Sequence, residues 1–113
     1  MKHYTSIEQS KKLLELGLNP NTADMFYPKI DEGLYSVFPV IGYGIFKKQI
    51  SDIPCWSLGA LLDILPSVTL DSSDDHHYRL QCMGKSTEWY DSAVGACVDM
   101  IEKLHKQNLL QFN

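Results

Sequence analysis

Along the first eighteen residues Ile7, Leu13, Leu14, Leu16 and Leu18 give one oily side, while Lys11, Lys12 and Glu15 give a wet one. Thr5-Ser6-Ile7-Glu8 just ahead has the S/T-x-x-E form, in which the Thr5 hydroxyl and the Glu8 carboxylate satisfy free amides at a helix start. Gly17 suits the left-handed residue that ends a helix. The pattern predicts a helix over residues 6–16. Asn19-Pro20 repeats the start signal, because Asn caps and Pro is tolerated at the first helical position, and predicts a short second helix from Pro20 to Met25.

From Phe26 to Ile53 the helical period is lost. Pro28, Gly33, Pro39, Gly42 and Gly44 punctuate the segment, aromatics recur at Phe26, Tyr27, Tyr35, Phe38, Tyr43 and Phe46, and the expectation is irregular chain with one or two short strands. Leu58, Leu61, Leu62 and Leu65 then return at intervals of three and four, with Ser57 as cap and Pro66 as stop, which predicts a buried central helix. Val68-Thr69-Leu70 suits a strand, Asp71 to Asp75 a polar turn, and Tyr78 to Met83 alternates at period two, as Thr87 to Tyr90 does more weakly. Gly84-Lys85 is the expected tight turn between the last two. Asp91 or Ser92 caps a final helix to about Gln107, with Val94, Cys97, Val98, Ile101 and Leu104 on one stripe. Lys103, His105 and Lys106 lie at its negative pole. The expected fold is a single α+β domain over residues 1–113, its C-terminal helix packed on a two- or three-stranded antiparallel sheet.

Composition supports that fold and narrows the function. At 113 residues and 44% hydrophobic, the chain can bury a core without disulfide or metal support. Its net charge of −4 is uneven: residues 51–90 carry six acids against Arg79 and Lys85, and Arg79 is the sole arginine. Nucleic-acid binders usually cluster several arginines and lysines on one face, so this balance argues against nucleic acid as the partner. The longest mostly apolar stretches fall well short of the roughly 20 residues that span a bilayer, and the first residues lack a secretory pattern. A cytoplasmic location with no membrane partner is expected. Cys55, Cys82 and Cys97 are odd in number and widely spaced, which predicts reduced, half-buried thiols.

No catalytic, metal or cofactor motif is complete. Asp71-Ser72-Ser73-Asp74-Asp75 places oxygen ligands as a calcium loop does, but His76 stands where Gly is needed and Cys82 where Glu is needed. His76-His77, read as strand neighbours, would face opposite ways and could not share an ion. Gly84-Lys85-Ser86 copies the tail of a phosphate loop whose first glycine is here Arg79, and Gly42-Tyr43-Gly44 opens a dinucleotide fingerprint that ends on Lys47. His3 and His105 read as solvent-exposed and as dipole-complementing. Cys55, just ahead of a helix, is the one nucleophile candidate with a physical basis, opposed by the apolar neighbours Pro54, Trp56 and Leu58.

The opening Tyr4 to Leu13 with Gly17, Thr22-Ala23-Asp24-Met25, Pro54-Cys55-Trp56-Ser57-Leu58 with Leu61-Leu62 and Leu65-Pro66, and Ala96-Cys97-Val98-Asp99-Met100 together resemble a family of small, functionally uncharacterised bacterial proteins often carried on phage or mobile elements. The resemblance implies a compact cytoplasmic protein and carries over no catalytic residue, substrate or cofactor. With no complete catalytic constellation, the aromatics on irregular chain become the leading functional signal. They point to a non-enzymatic accessory or protein-interaction module with Tyr35, Phe38 and Tyr43 contacting a partner protein. A nucleic-acid-associated regulator and a small enzyme or ligand binder with a pocket near Cys55 are the alternatives.

Overall fold

The computed structural model describes residues 3–41 and 52–112. Helix α1 (Ile7–Leu16) starts one residue later than the sequence motif suggests. Ser6, not Thr5, is the cap: its hydroxyl accepts the Gln9 N–H at 3.1 Å, and Gln9, not Glu8, reaches back to the Ser6 N–H at 2.9 Å. Thr5 is unavailable because its side chain is wholly buried and bonded inward. Gly17 ends the helix at φ +99° and passes its own N–H to Leu14, as a left-handed cap requires.

The predicted second helix is only a 3₁₀ turn (Pro20–Thr22), capped by Asn19. Ala23 is extended, and Met25 opens β1 (Met25–Tyr27) because its backbone finds partners on both sides. β1 pairs antiparallel with β4 (Val40–Ile41) and with β5 (Ile53–Cys55), giving a sheet ordered β4-β1-β5. A separate hairpin joins β2 (Lys29–Asp31) to β3 (Leu34–Tyr35) through Gly33 at φ +70°. The segment is therefore richer in strand than its Pro and Gly content predicts.

The central helix α2 (Leu58–Ile64) is capped by Ser57 as expected, buries Leu61 fully, and ends on extended Leu65 before Pro66. Its Leu58, Leu62 and Ile64 are only partly covered. Beyond it, β6 (Thr69–Ser72), β7 (Tyr78–Cys82) and β8 (Lys85–Ser86) form an antiparallel sheet in sequence order. The turn before β8 is Met83-Gly84, both at positive φ, rather than Gly84-Lys85: Cys82 pairs with Lys85, so Lys85 is already strand. Thr87 to Tyr90 is not a strand. Thr87 is buried, its hydroxyl accepting the Leu80 N–H at 3.0 Å, and Tyr90 makes a single two-way bridge to Tyr78.

Helix α3 (Ala93–Lys106), capped by Ser92, packs on β7, α2 and α1. Val94, Cys97, Val98, Ile101 and Leu104 are all buried, joined by Ala93, Ala96 and Met100. Leu80 and Cys82 meet them from β7, and Leu13, Trp56 and Leu61 complete this main core. A smaller cluster holds Tyr27, Ile53 and Cys55, with Tyr4, Ile7, Met25 and Tyr35 against it. Full burial of a large apolar side chain stabilises by about 1.5–3 kcal/mol, so the Leu and Ile of the main core dominate cohesion.

The two clusters are joined at a buried polar seam. The Thr5 N–H donates to the Trp56 carbonyl at 2.9 Å and the Thr5 hydroxyl takes the Trp56 N–H at 3.0 Å, while that hydroxyl lies 2.8 Å from Ser10 Oγ. The Thr5 carbonyl accepts from the Tyr27 hydroxyl at 2.7 Å and from the Cys55 thiol at 3.3 Å. The Leu58 N–H donates to the His3 carbonyl, continuing the attachment of the first residues to the start of α2.

Candidate interaction surface

Between β1 and β4 the chain alternates between tight backbone closure and outward apolar side chains. The Ser36 N–H donates to the Pro28 carbonyl at 2.9 Å and closes the β2–β3 hairpin. The Lys29 N–H donates to Asp52 at 2.8 Å and ties that hairpin to the residue before β5. The Ser36 hydroxyl donates to the Phe38 carbonyl at 2.8 Å, fixing the bend that follows β3. A bulge between Lys29 and Asp31 shifts the register, so Asp31 pairs with Leu34.

On this frame Ile30, Leu34, Val37, Phe38 and Ile41 are 65%, 55%, 80%, 70% and 54% exposed. Among the described residues the other exposed large apolar side chains are Leu70, Met83, Trp89 and Leu109, each less exposed than these five. Isolated exposed leucines are ordinary; five large apolar residues within one short segment are not.

The three residues singled out from sequence are not equivalent. Phe38 is on this surface. Tyr35 is half-buried and packs against the Tyr27–Ile53–Cys55 cluster, so it supports the lobe from beneath. Tyr43 lies outside the described residues. Phe26, Tyr27 and Trp56, which belong to the same aromatic pattern, are buried. The aliphatic members Ile30, Leu34, Val37 and Ile41 are not marked by the aromatic pattern. Their signal was apolar residues in a stretch too short and too turn-rich to cover both faces of its strands.

Cys55 is placed against its proposed chemistry. It sits in β5, entirely covered, with its thiol donating to the Thr5 carbonyl. Burial pushes its pKa up, only partly offset by hydrogen bonds from Thr5 and Tyr27. Its neighbour Tyr27 is raised too, first by burial and then by the adjacent Cys55. Cys82 and Cys97 are likewise fully buried rather than half-buried, and burial alone pushes Cys97 up to about 12. A thiolate at any of the three is disfavoured at neutral pH.

The remaining candidates lie apart. His76 and His77 occupy the turn after β6, not a strand, with His76 at φ +60° and both side chains exposed. His3 is exposed, and His105 stacks on Phe112 with ring centroids 4.6 Å apart. Asp71 accepts from Gln81 at 2.6 Å and from Arg79 at 3.1 Å, and these two bonds hold its carboxyl below the ordinary range. The Arg79 guanidinium also lies over the Trp89 ring at 4.6 Å. Among the described residues no three His, Cys, Asp or Glu side chains gather as a metal site, and no helix is long and apolar enough to cross a membrane. Comparison with protein-family models, with curated proteins and with solved structures returns no match.

Proposed function

We infer that the chain is a non-enzymatic protein-interaction module that engages a partner protein through residues 30–41. The observation that carries this reading is the exposure of Ile30, Leu34, Val37, Phe38 and Ile41 on one backbone-pinned segment. Protein interfaces concentrate their energy in a few large side chains that become fully desolvated, and Phe38 flanked by Val37 supplies such an anchor. The resemblance to small proteins carried on phage or mobile elements suits an accessory role in the cytoplasm.

The test is affinity recovery from host lysate, with and without nuclease, using the parent chain and a Val37→Ser/Phe38→Ser variant. A nuclease-resistant, stoichiometric protein lost only with the variant is the expected result. Equal recovery by both chains overturns the assignment of this surface, and recovery that depends on nucleic acid overturns the partner class.

A further inference from the structure

The sheet β6-β7-β8 has one bare edge. Along β7 the Leu80 N–H donates to the Thr87 hydroxyl at 3.0 Å and the Leu80 carbonyl accepts the Thr87 N–H at 2.9 Å, while Tyr78 makes its two-way bridge to Tyr90 on the same side. Backbone groups alternate along a strand, so Arg79 and Gln81 are the residues of β7 that bond β6, through Asp71 and Thr69. The same alternation turns the N–H and carbonyl of Leu70 and Ser72 away from β7, and no described strand lies beyond them. Other edges are finished by the fold. Beside β5, Pro54 has no N–H and the Trp56 backbone is held by Thr5; beside β8, the Ser86 carbonyl takes Lys103 Nζ at 3.3 Å.

The side chains of β6 are unfinished as well. Leu70 pairs with Leu80 and so lies on the side of the sheet that faces α3, yet it is 41% exposed where Leu80 is wholly buried. The core thus stops short at β6, with an apolar side chain beside free backbone groups. The one charge on the strand, Asp71, is drawn inward by Arg79 at 3.1 Å and Gln81 at 2.6 Å, so it does not guard the edge as charged residues on edge strands usually do. An added strand must match this pattern, and β6 matches itself in one register. Centring two antiparallel copies on Asp71 sets two carboxylates face to face, and centring them on Thr69 sets Ser72 against Pro66, which has no N–H to give. Centring on Leu70 puts the two exposed leucines in contact, each Thr69 hydroxyl opposite the other copy's Asp71, and each Val68 opposite Ser72. We propose that two copies of this chain associate by antiparallel pairing of β6 with β6 about a two-fold axis at Leu70, merging their three-stranded sheets into one.

The experiment is sedimentation equilibrium of the full chain from about 10 µM to about 1 mM. A contact of this size belongs to the small, weak class, so the expected dissociation constant is on the order of 0.1 mM, with monomer dominant at the dilute end and dimer at the concentrated end. Leu70→Lys sets two cations against each other on the axis and moves dimerisation out of this range; its urea midpoint stays near that of the parent, because Leu70 lies outside the main core. Leu70→Pro removes an outward N–H, leaves the bonds of Thr69 and Asp71 to β7 in place, and has the same effect. In the parent chain itself, the amides of Leu70 and Ser72 exchange about fourfold more slowly at the concentrated end, the ratio of monomer fractions at that constant, while Leu80 keeps its rate. A parent chain that stays monomeric at about 1 mM overturns the proposal, as does a concentration-independent exchange rate at Leu70 and Ser72. So does a folded Leu70→Lys chain that dimerises as the parent does, or a dimer that Val37→Ser/Phe38→Ser abolishes, which places the contact on residues 30–41 instead.

Discussion

Replacing Thr5 with Val tests the buried seam with little change in shape. The substitution keeps the branched volume but removes the hydroxyl that takes the Trp56 N–H at 3.0 Å and faces Ser10 Oγ at 2.8 Å. Thr5, Ser10 and Trp56 are all wholly buried, so water cannot step in as acceptor. An unsatisfied buried donor costs about 1–3 kcal/mol, and the cost here falls on a backbone N–H that has no alternative geometry. Ser10→Ala removes the other end of the pair. The Thr5 hydroxyl then still receives the Trp56 N–H and can turn toward Cys55 Sγ, 3.7 Å away, so the loss is smaller, about 0.5–1.5 kcal/mol. Urea unfolding followed by far-UV circular dichroism reads the difference. With a slope of about 1.5 kcal/mol per molar, a 2 kcal/mol loss lowers the midpoint by about 1.3 M at unchanged slope. A Thr5→Val midpoint within about 0.3 M of the parent, or a Ser10→Ala midpoint below that of Thr5→Val, refutes the assignment of the hydroxyl as acceptor of the Trp56 N–H.

Phe38→Ser changes stability by less than about 0.5 kcal/mol because the ring is already in solvent, whereas Tyr35→Ala costs about 1–3 kcal/mol; paired thermal or urea melts check the order. Asp71 has a depressed folded-state pKa, so its stabilisation is present above the ordinary carboxylate value of about 3.9 and is lost as pH falls through the lowered one. The stability gap between the parent and Asp71→Asn accordingly narrows on acidification from neutral pH, and a gap that stays constant to low pH contradicts the Gln81 and Arg79 bonds. All three thiols resist an aromatic disulfide reagent at neutral pH in native buffer and react together in urea. One thiol labelled rapidly in the folded chain contradicts its burial, and rapid labelling of Cys55 would reopen its reading as a nucleophile.

The α+β class, the N-terminal and central helices and the final helix on an antiparallel sheet were all legible, because Leu and Val at helical spacing leave few other ways to cover an oily stripe. Gln9 and Glu8 show where local rules blur. Both are acceptable partners for a capping hydroxyl, and only the burial of Thr5, decided by Ser10 within the helix and by Cys55 and Trp56 far along the chain, moves the cap to Ser6. Met25 to Tyr27 shows a second limit: three residues are too few for a period, and their strand state comes from Ile53 to Cys55 across the chain. The exposed face was half legible. Phe38 carries the aromatic signature, but Ile30, Leu34, Val37 and Ile41 share their composition with core strands and are told apart only by what does not cover them.

The two three-stranded sheets differ in how much chain must be gathered to build them. β6, β7, β8 and α3 follow one another, each packing on a near neighbour, whereas β1 meets β5 across all of residues 28–52 and Tyr4 bridges to Ser57 across nearly half the chain. Contacts between near neighbours close small loops and form cheaply; distant ones wait until the intervening chain has been ordered. The β6–β8 sheet and the helix that follows it can thus form before the distant contacts do, and Thr5, whose partners Tyr27, Cys55 and Trp56 lie far along the chain, belongs to a late step. Weakening that seam should shorten the lifetime of the native state while leaving the speed of its formation nearly untouched.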